Sequence, residues 1–293
     1  LSTLFPKLGI FDVTYKTLRD LVYNIIFREE LKIKFDFDEG QDTSFYDKKR
    51  IELVQNQVKK VIKSYEIKIK NIFKDPGLKL YASFKYSYDE TPYENVIELL
   101  KDTLEEIKIQ KDQLKLNPDG LNSWLNKQNL INLKKILRAA NRIKNDLQNN
   151  SVDRAVKNLG LDITSTLNYT DVLVYISVYL ELIGMKEYRK FEYCVVDESQ
   201  DFSLLEYLIL NKIVLRGRFA LFGDLNQSLE NDGVKDWNDI KFVINDARVA
   251  NTFSLEENYR STKQIIDFAN KILRPYTDKY LPKSIDRVGQ IPN

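Results

Sequence analysis

Apolar residues fall along this chain in two rhythms, and the change between them divides it. Ile51, Val54, Val58, Val61, Tyr65, Ile69 and Ile72 recur at alternating steps of three and four. That spacing predicts a long helix with a coiled-coil-like seam. Leu133, Ile136, Leu137, Ala140, Ile143 and Leu147 mark a second such helix, and Val96 to Ile107 a third. Lysine, glutamate and asparagine fill the outer faces. Between these helices Leu78, Leu80, Ala82, Phe84, Tyr86 and Tyr88 alternate, which fits a strand or an aromatic contact surface.

Elsewhere the apolar runs are short and end abruptly. Tyr193 to Val196 reads as a strand buried on both faces, and it stops in Asp197-Glu198-Ser199-Gln200-Asp201. Ser203 and Glu206 stand in capping-box spacing before an apolar helix that Gly217 can close. A second strand, Phe219 to Phe222, stops in Gly223-Asp224-Leu225-Asn226-Gln227-Ser228. Upstream, Thr170 is the expected cap of a helix through Leu182 that Gly184 terminates. Downstream, Ser261 and Gln264 form another capping box, and Ile265, Ile266, Phe268, Ala269, Ile272 and Leu273 repeat at helical spacing until Pro275. At the start, a strand around Phe11 to Tyr15 leads into a helix from about Leu18. The pattern is α/β, with polar groups delivered where two buried strands end. Open α/β sheets put their ligand sites there.

Composition narrows the function classes. A chain of 293 residues is long enough for a sizeable core in one or two domains. Its net charge of +2 announces no global basic field, so any nucleic-acid contact has to be a local groove. One cysteine and no histidine exclude internal disulfides and ordinary zinc sites. Cys194 lies in the first buried run and reads as core. No apolar run approaches the roughly 20 residues that span a bilayer, and no signal peptide precedes the body. A reduced, cytoplasmic setting without a membrane partner is the expectation.

The strand ends carry the chemistry. A carboxylate at a strand tip can hold Mg²⁺ through its water shell, because Mg²⁺ takes few protein ligands. A second carboxylate one residue on can orient or deprotonate an attacking water. Gln227, on the neighbouring tip, is placed to sense a terminal phosphate. Arg260, in Leu255-Glu256-Glu257-Asn258-Tyr259-Arg260-Ser261, precedes a helix start, a position suited to an arginine finger, and Tyr259 offers a ring to a base. Singly, these fit a solvated turn, a core tyrosine and a surface arginine. Their order along one chain favours nucleotide hydrolysis.

Together VVDESQD, GDLNQS and ENYRS resemble motifs II, III and IV of the superfamily 1 helicases of the UvrD/Rep/PcrA type. The resemblance covers Phe191 to Leu273 and implies a RecA-like (P-loop NTPase) parallel sheet using ATP and Mg²⁺. It gives Asp197 the metal, Glu198 the role of general base and Gln227 the γ-phosphate. Tyr259 would stack on adenine and Arg260 would stabilise the transition state. Gln200 and Asp224 join the nucleotide-binding set. The opening segment resembles motif Ic, which makes Thr17 a candidate contact to the nucleic-acid backbone. Phe-Pro-Lys-Leu-Gly near the start and Ile285-Asp286-Arg287-Val288-Gly289 near the end are similar to the HelD branch.

That resemblance implies residues 1–38 as a first part of the motor domain, 39–160 as a large helical insertion, and 161–256 as the motor with motifs II and III. Residues 257–293 would hold motif IV and the start of a second motor domain, with Pro275 and Pro282 in the linker. No G-x-x-x-x-G-K-[S/T] occurs in the 293 residues, and motifs V and VI have no match. An incomplete motor, inactive by itself, is therefore expected. The DNA helicases place a base-stacking tryptophan five residues after the motif III glutamine; here that position is Asp232, and Trp237 lies ten residues after Gln227. Two functions follow from the resemblance: an ATP-driven helicase or translocase on DNA, or a HelD-like ATPase whose insertion grips RNA polymerase.

Overall fold

The computed structural model describes residues 16–37, 48–72, 109, 112, 123–185, 191–227, 233–244, 251–277 and 281–290. The strand expected at Phe11 to Tyr15, the alternation from Leu78 to Tyr88 and the helix from Val96 to Ile107 lie outside them. The chain divides into two compact units, one of Leu1–Phe191 with Leu204–Ile213, the other of Glu192–Ser203 with Val214–Asn293.

The first unit is helical. Helix α1 (Leu18–Arg28) opens on a capping box in which the Thr17 hydroxyl accepts from the Asp20 amide while Asp20 reaches back. Helices α2 (Lys48–Ile72) and α3 (Ser123–Asn158) follow the two apolar seams, and α3 runs well beyond the span its seam predicts. On α2 the seam residues Ile51, Val54, Val58, Tyr65 and Ile69 are buried, and on α3 Ala140 and Leu147. Helix α4 (Tyr169–Leu182) is apolar around its whole circumference and buried along nearly all its length, as a central core helix must be. Its cap is Asn168, whose side chain accepts from the Asp171 amide. The expected cap, Thr170, is instead fully buried in the first turn, because the helix begins two residues sooner than its apolar run suggests. Gly184, at φ 75°, ends it as anticipated.

Three tyrosines of α4 tie it to three different segments. Tyr169 donates to Glu206 on α5 (Leu204–Ile213) at 2.9 Å, Tyr175 to Asp153 on α3 at 3.2 Å, and Tyr179 to Glu29 at the end of α1 at 2.7 Å. Helices α2 and α3 meet at Asp146. Its Oδ2 accepts from Tyr65 at 2.9 Å, Arg154 at 3.0 Å and Lys68 at 3.2 Å, and its Oδ1 from Asn150 at 3.1 Å. Desolvation alone would raise the Asp146 pKa, but these hydrogen bonds, led by Arg154 and Tyr65, outweigh it and hold the carboxyl well below the usual carboxylate range. Burial, then the bond to Asp146, pushes the Tyr65 phenol far above its ordinary pKa, so it stays a donor.

A carboxyl depressed in the folded state adds stability above its unfolded pKa and loses it as pH falls towards the folded value. Asp146→Asn should therefore cost about 1–3 kcal/mol at pH 7, the worth of hydrogen bonds to a charged group. The gap between variant and wild type should narrow as pH drops below about 4. Urea unfolding at several pH values reads this directly. A gap that does not vary with pH would show that the Asp146 charge is idle.

The second unit carries the strands. Strand β1 (Cys194–Val196) pairs in parallel with β2 (Phe219–Leu221), and β3 (Glu257–Asn258) in parallel with β4 (Lys283–Ser284). Between the pairs lies a short helix, α6 (Trp237–Ile240), and α7 (Lys263–Leu273) follows β3. Strand β1 is not buried on both faces as its sequence suggested: Val195 is 52% exposed and Tyr193 68%. Among the described residues its sheet has two strands, so no layer covers that face. Helix α7 begins at Lys263 with Thr262 as its cap, not Ser261, and no side chain closes its first turn. Gln264 is engaged elsewhere, accepting from the Gly289 amide at 2.8 Å. Helix α5 ends at Ile213, and Gly217, at φ 59°, closes a separate 3₁₀ turn at Leu215–Gly217.

Candidate functional site

The register of β1 and β2 sets Cys194 opposite Phe219 and Val196 opposite Leu221. Both strands therefore leave the sheet at the same edge, one into Asp197 and the other into Gly223, as their matching apolar runs predict. The Phe222 amide donates to the Val196 carbonyl at 2.9 Å, and the Ser199 amide and hydroxyl donate to the Phe222 carbonyl at 2.9 and 2.8 Å. The two tips are thereby stitched side by side.

Glu198 sits in the left-handed region, φ 48° and ψ 42°. For a residue with a Cβ this costs about 1–2 kcal/mol, and such strain collects at functional positions. The neighbouring carboxylate helps hold it, since Asp197 Oδ1 accepts from the Glu198 amide at 3.1 Å. Gln200 is buried and spans the tips. Its Nε2 donates to Glu198 Oε2 at 2.9 Å and its Oε1 accepts from the Asp224 amide at 3.0 Å. This orientation of the amide is the one its partners allow, because turning it would set N–H against N–H and oxygen against carboxylate.

Gly223 makes the close approach possible. A Cβ there would lie 2.8 Å from Ser199 Oγ and 3.0 Å from the Trp237 ring, and closer still to Gln200 Oε1. Trp237, ten residues after Gln227, has its ring edge packed against this turn. Asp224 spends its carboxylate on its own turn: Oδ1 accepts from the Asn226 amide at 3.0 Å and Oδ2 from Gln227 Nε2 at 2.8 Å. One continuous network thus runs Glu198–Gln200–Asp224–Gln227. Cys194 is half-buried rather than core, and burial pushes its thiol up to about 11, which keeps it protonated near neutrality.

Tyr259 and Arg260 occupy the end of the other strand pair. Asn258 Oδ1 accepts from the amides of Arg260 at 3.0 Å and Ser261 at 2.8 Å, an Asx turn that shapes the loop. Arg287 Nη1 donates to the Arg260 carbonyl at 3.2 Å, and the Arg287 carbonyl accepts from the Lys263 amide at 2.8 Å. Both Tyr259 and Arg260 are exposed. The Tyr259 hydroxyl donates to Glu257, which raises its pKa and leaves the ring face accessible. Thr17 belongs to the first unit, where its hydroxyl donates to Asp20 Oδ2 at 2.7 Å.

The structure therefore assembles Asp197, Glu198, Gln200, Asp224 and Gln227 on one pair of strand ends, and Tyr259 with Arg260 on another. Sequence reasoning missed Ser199, Asn258 and Arg287, which hold backbone rather than ligand, and Gly223, which leaves room for the tips to approach. Asn258 carried a usable signal, an asparagine two and three residues before the amides it accepts from. For Mg²⁺ with a nucleoside triphosphate, the donor set at the first tip fits. Asp197 and Glu198 are consecutive, exposed carboxylates, and a hard cation that keeps most of its waters needs little more from protein.

The family described as UvrD/REP helicase N-terminal domain matches residues 5–229. The ATP-dependent DNA helicase PcrA of Leuconostoc citreum is 36% identical over 98 residues, 33% of this chain and 13% of that protein. That of Staphylococcus aureus (strain Mu50) is 30% identical over 117 residues, 39% of this chain and 16% of that protein. That of Bacillus subtilis (strain 168) is 33% identical over 98 residues, 33% of this chain and 13% of that protein. The chain thus aligns with about a seventh of the length of these relatives. No solved structure matches it. The match spans the acidic tip at Asp197 and the glutamine tip at Gln227 together, and on that ground the chain belongs to the UvrD/REP helicase N-terminal domain family, within the UvrD/PcrA-type superfamily 1 helicases.

Proposed function

We propose that this chain forms part of an ATP-driven helicase or translocase acting on DNA, with β1 and β2 as two strands of a RecA-like sheet. The observation that carries the reading is the network joining Glu198 to Asp224 through Gln200, because it couples a metal-and-water tip to a phosphate-sensing tip. When bound, ATP with Mg²⁺ supplies the phosphoanhydride whose hydrolysis drives movement. Asp197 would hold the cation through its water shell. Glu198, held in register by Gln200, would orient water and accept its proton. Gln227, steadied by Asp224, would contact the terminal phosphate. Tyr259 would offer its exposed ring to the base, and Arg260 would supply a fixed positive charge to the phosphoryl oxygens.

Positioned charge accounts for nearly all of phosphoryl-transfer catalysis, and no phosphate loop with its lysine occurs in these 293 residues. The chain by itself should release phosphate at the background rate. The protein that carries this chain together with such a loop should hydrolyse ATP, and single-stranded DNA should accelerate it. Steady-state phosphate release with and without DNA separates the cases. Hydrolysis indifferent to DNA would remove the translocase reading, and hydrolysis by the chain alone would remove the shared site.

A further inference from the structure

Of the three side chains that crowd Gly223, two belong to the acidic tip and one does not. Ser199 and Gln200 reach it from the first tip, and each is tied across the gap by hydrogen bonds. Trp237 is brought in on α6, from further along the chain. It meets the turn with Cη2, the outer edge of the indole, 3.0 Å from where a Cβ on residue 223 would lie. Carbon contacts are best at about 3.5–4.0 Å, so beside this ring there is no room for even a methyl group.

The ring stands on a braced support. Asp236 Oδ1 caps α6, accepting from the Asn238 amide at 2.8 Å and from Asn238 Nδ2 at 3.0 Å. Val234 before the ring and Ile240, Val243 and Ile244 after it are buried. Gly223 has no such brace, because glycine brings no side chain to pack and has the widest choice of backbone conformations. Its neighbours therefore decide where the turn stands. The next residue passes that position on. The Asp224 amide donates to Gln200 Oε1 at 3.0 Å, and its carboxylate accepts from Gln227 Nε2 at 2.8 Å.

We propose that Trp237 is a positioning residue for nucleotide hydrolysis, its ring holding the Gly223 turn against Gln200 and so fixing Gln227 relative to Glu198. This rests on the hydrolytic reading above and adds a residue to it. The test is made in the protein that joins this chain to a phosphate loop, by single-turnover hydrolysis beside equilibrium binding of a fluorescent ATP analogue. Trp237→Ala should lower the hydrolytic rate by about 10²-fold, the effect of a displacement of about 1 Å in a reacting group. Analogue affinity should stay within about threefold, since the ring is assigned to the tips and not to the nucleotide. Trp237→Phe, which keeps a ring but withdraws its outer edge, should fall between, and it carries the test if the alanine variant does not fold. Gln200→Ala combined with either change should be no more than about threefold slower than the worse single variant, because both act through one joint. Losses that multiply in the double variant, or affinity that falls as far as the rate, would mark a merely structural role and overturn the proposal. A wild-type rate in Trp237→Ala beside a slow Glu198→Gln would overturn it while leaving the hydrolytic reading in place. A wild-type rate in Glu198→Gln would remove both.

Discussion

Glu198→Gln should lower phosphate release by about 10²–10⁴-fold, the usual contribution of a positioned general base. The test is made in the protein that joins this chain to a phosphate loop. Glutamine matches glutamate in size and still offers an oxygen to Gln200 Nε2, so the bridge to Asp224 survives the change. The left-handed backbone at 198 is as strained with one side chain as with the other. Nucleotide affinity should therefore shift by less than about threefold, since the lost interaction is made in the transition state. Phosphate release measured beside equilibrium binding of a fluorescent ATP analogue separates the two effects. A variant that turns over at the wild-type rate would take the base assignment away from Glu198.

Arg260→Ala should be the more damaging change, slowing turnover by about 10³–10⁵-fold as arginine fingers do. The loop should keep its shape without the guanidinium, because Asn258 and Arg287 hold residue 260 through its amide and carbonyl. Arg260→Lys should recover little, as a point charge cannot present the planar fork to phosphoryl oxygens. Single-turnover hydrolysis at saturating ATP isolates this step from binding. If kcat is kept and only KM rises, Arg260 serves ground-state binding and the finger assignment fails.

Both strand tips were legible in the sequence because the signal is local: an apolar run, then an abrupt polar stop, twice. The parallel pairing of the two runs and their exit at one edge followed from that pattern. What joins the tips was not legible. Gln200 reaches Asp224 across 24 residues, through a register that no local pattern states. The three tyrosine ties of α4 have the same character, spanning up to 150 residues to Glu29. Cap positions were misplaced by one or two residues at Asn168 and Thr262, since neighbouring Ser, Thr and Asn compete on nearly equal terms and packing decides.

The backbone at Glu198 has a consequence for inheritance. A glycine there would relieve the left-handed conformation, which costs a side-chain-bearing residue about 1–2 kcal/mol, and glutamate and glycine codons differ by a single second-position base. The shortest genetic step at this codon thus leads towards a sturdier fold without a carboxylate. Under the hydrolytic role proposed for Glu198, the carboxylate is what would retain glutamate there against the preference of its own main chain.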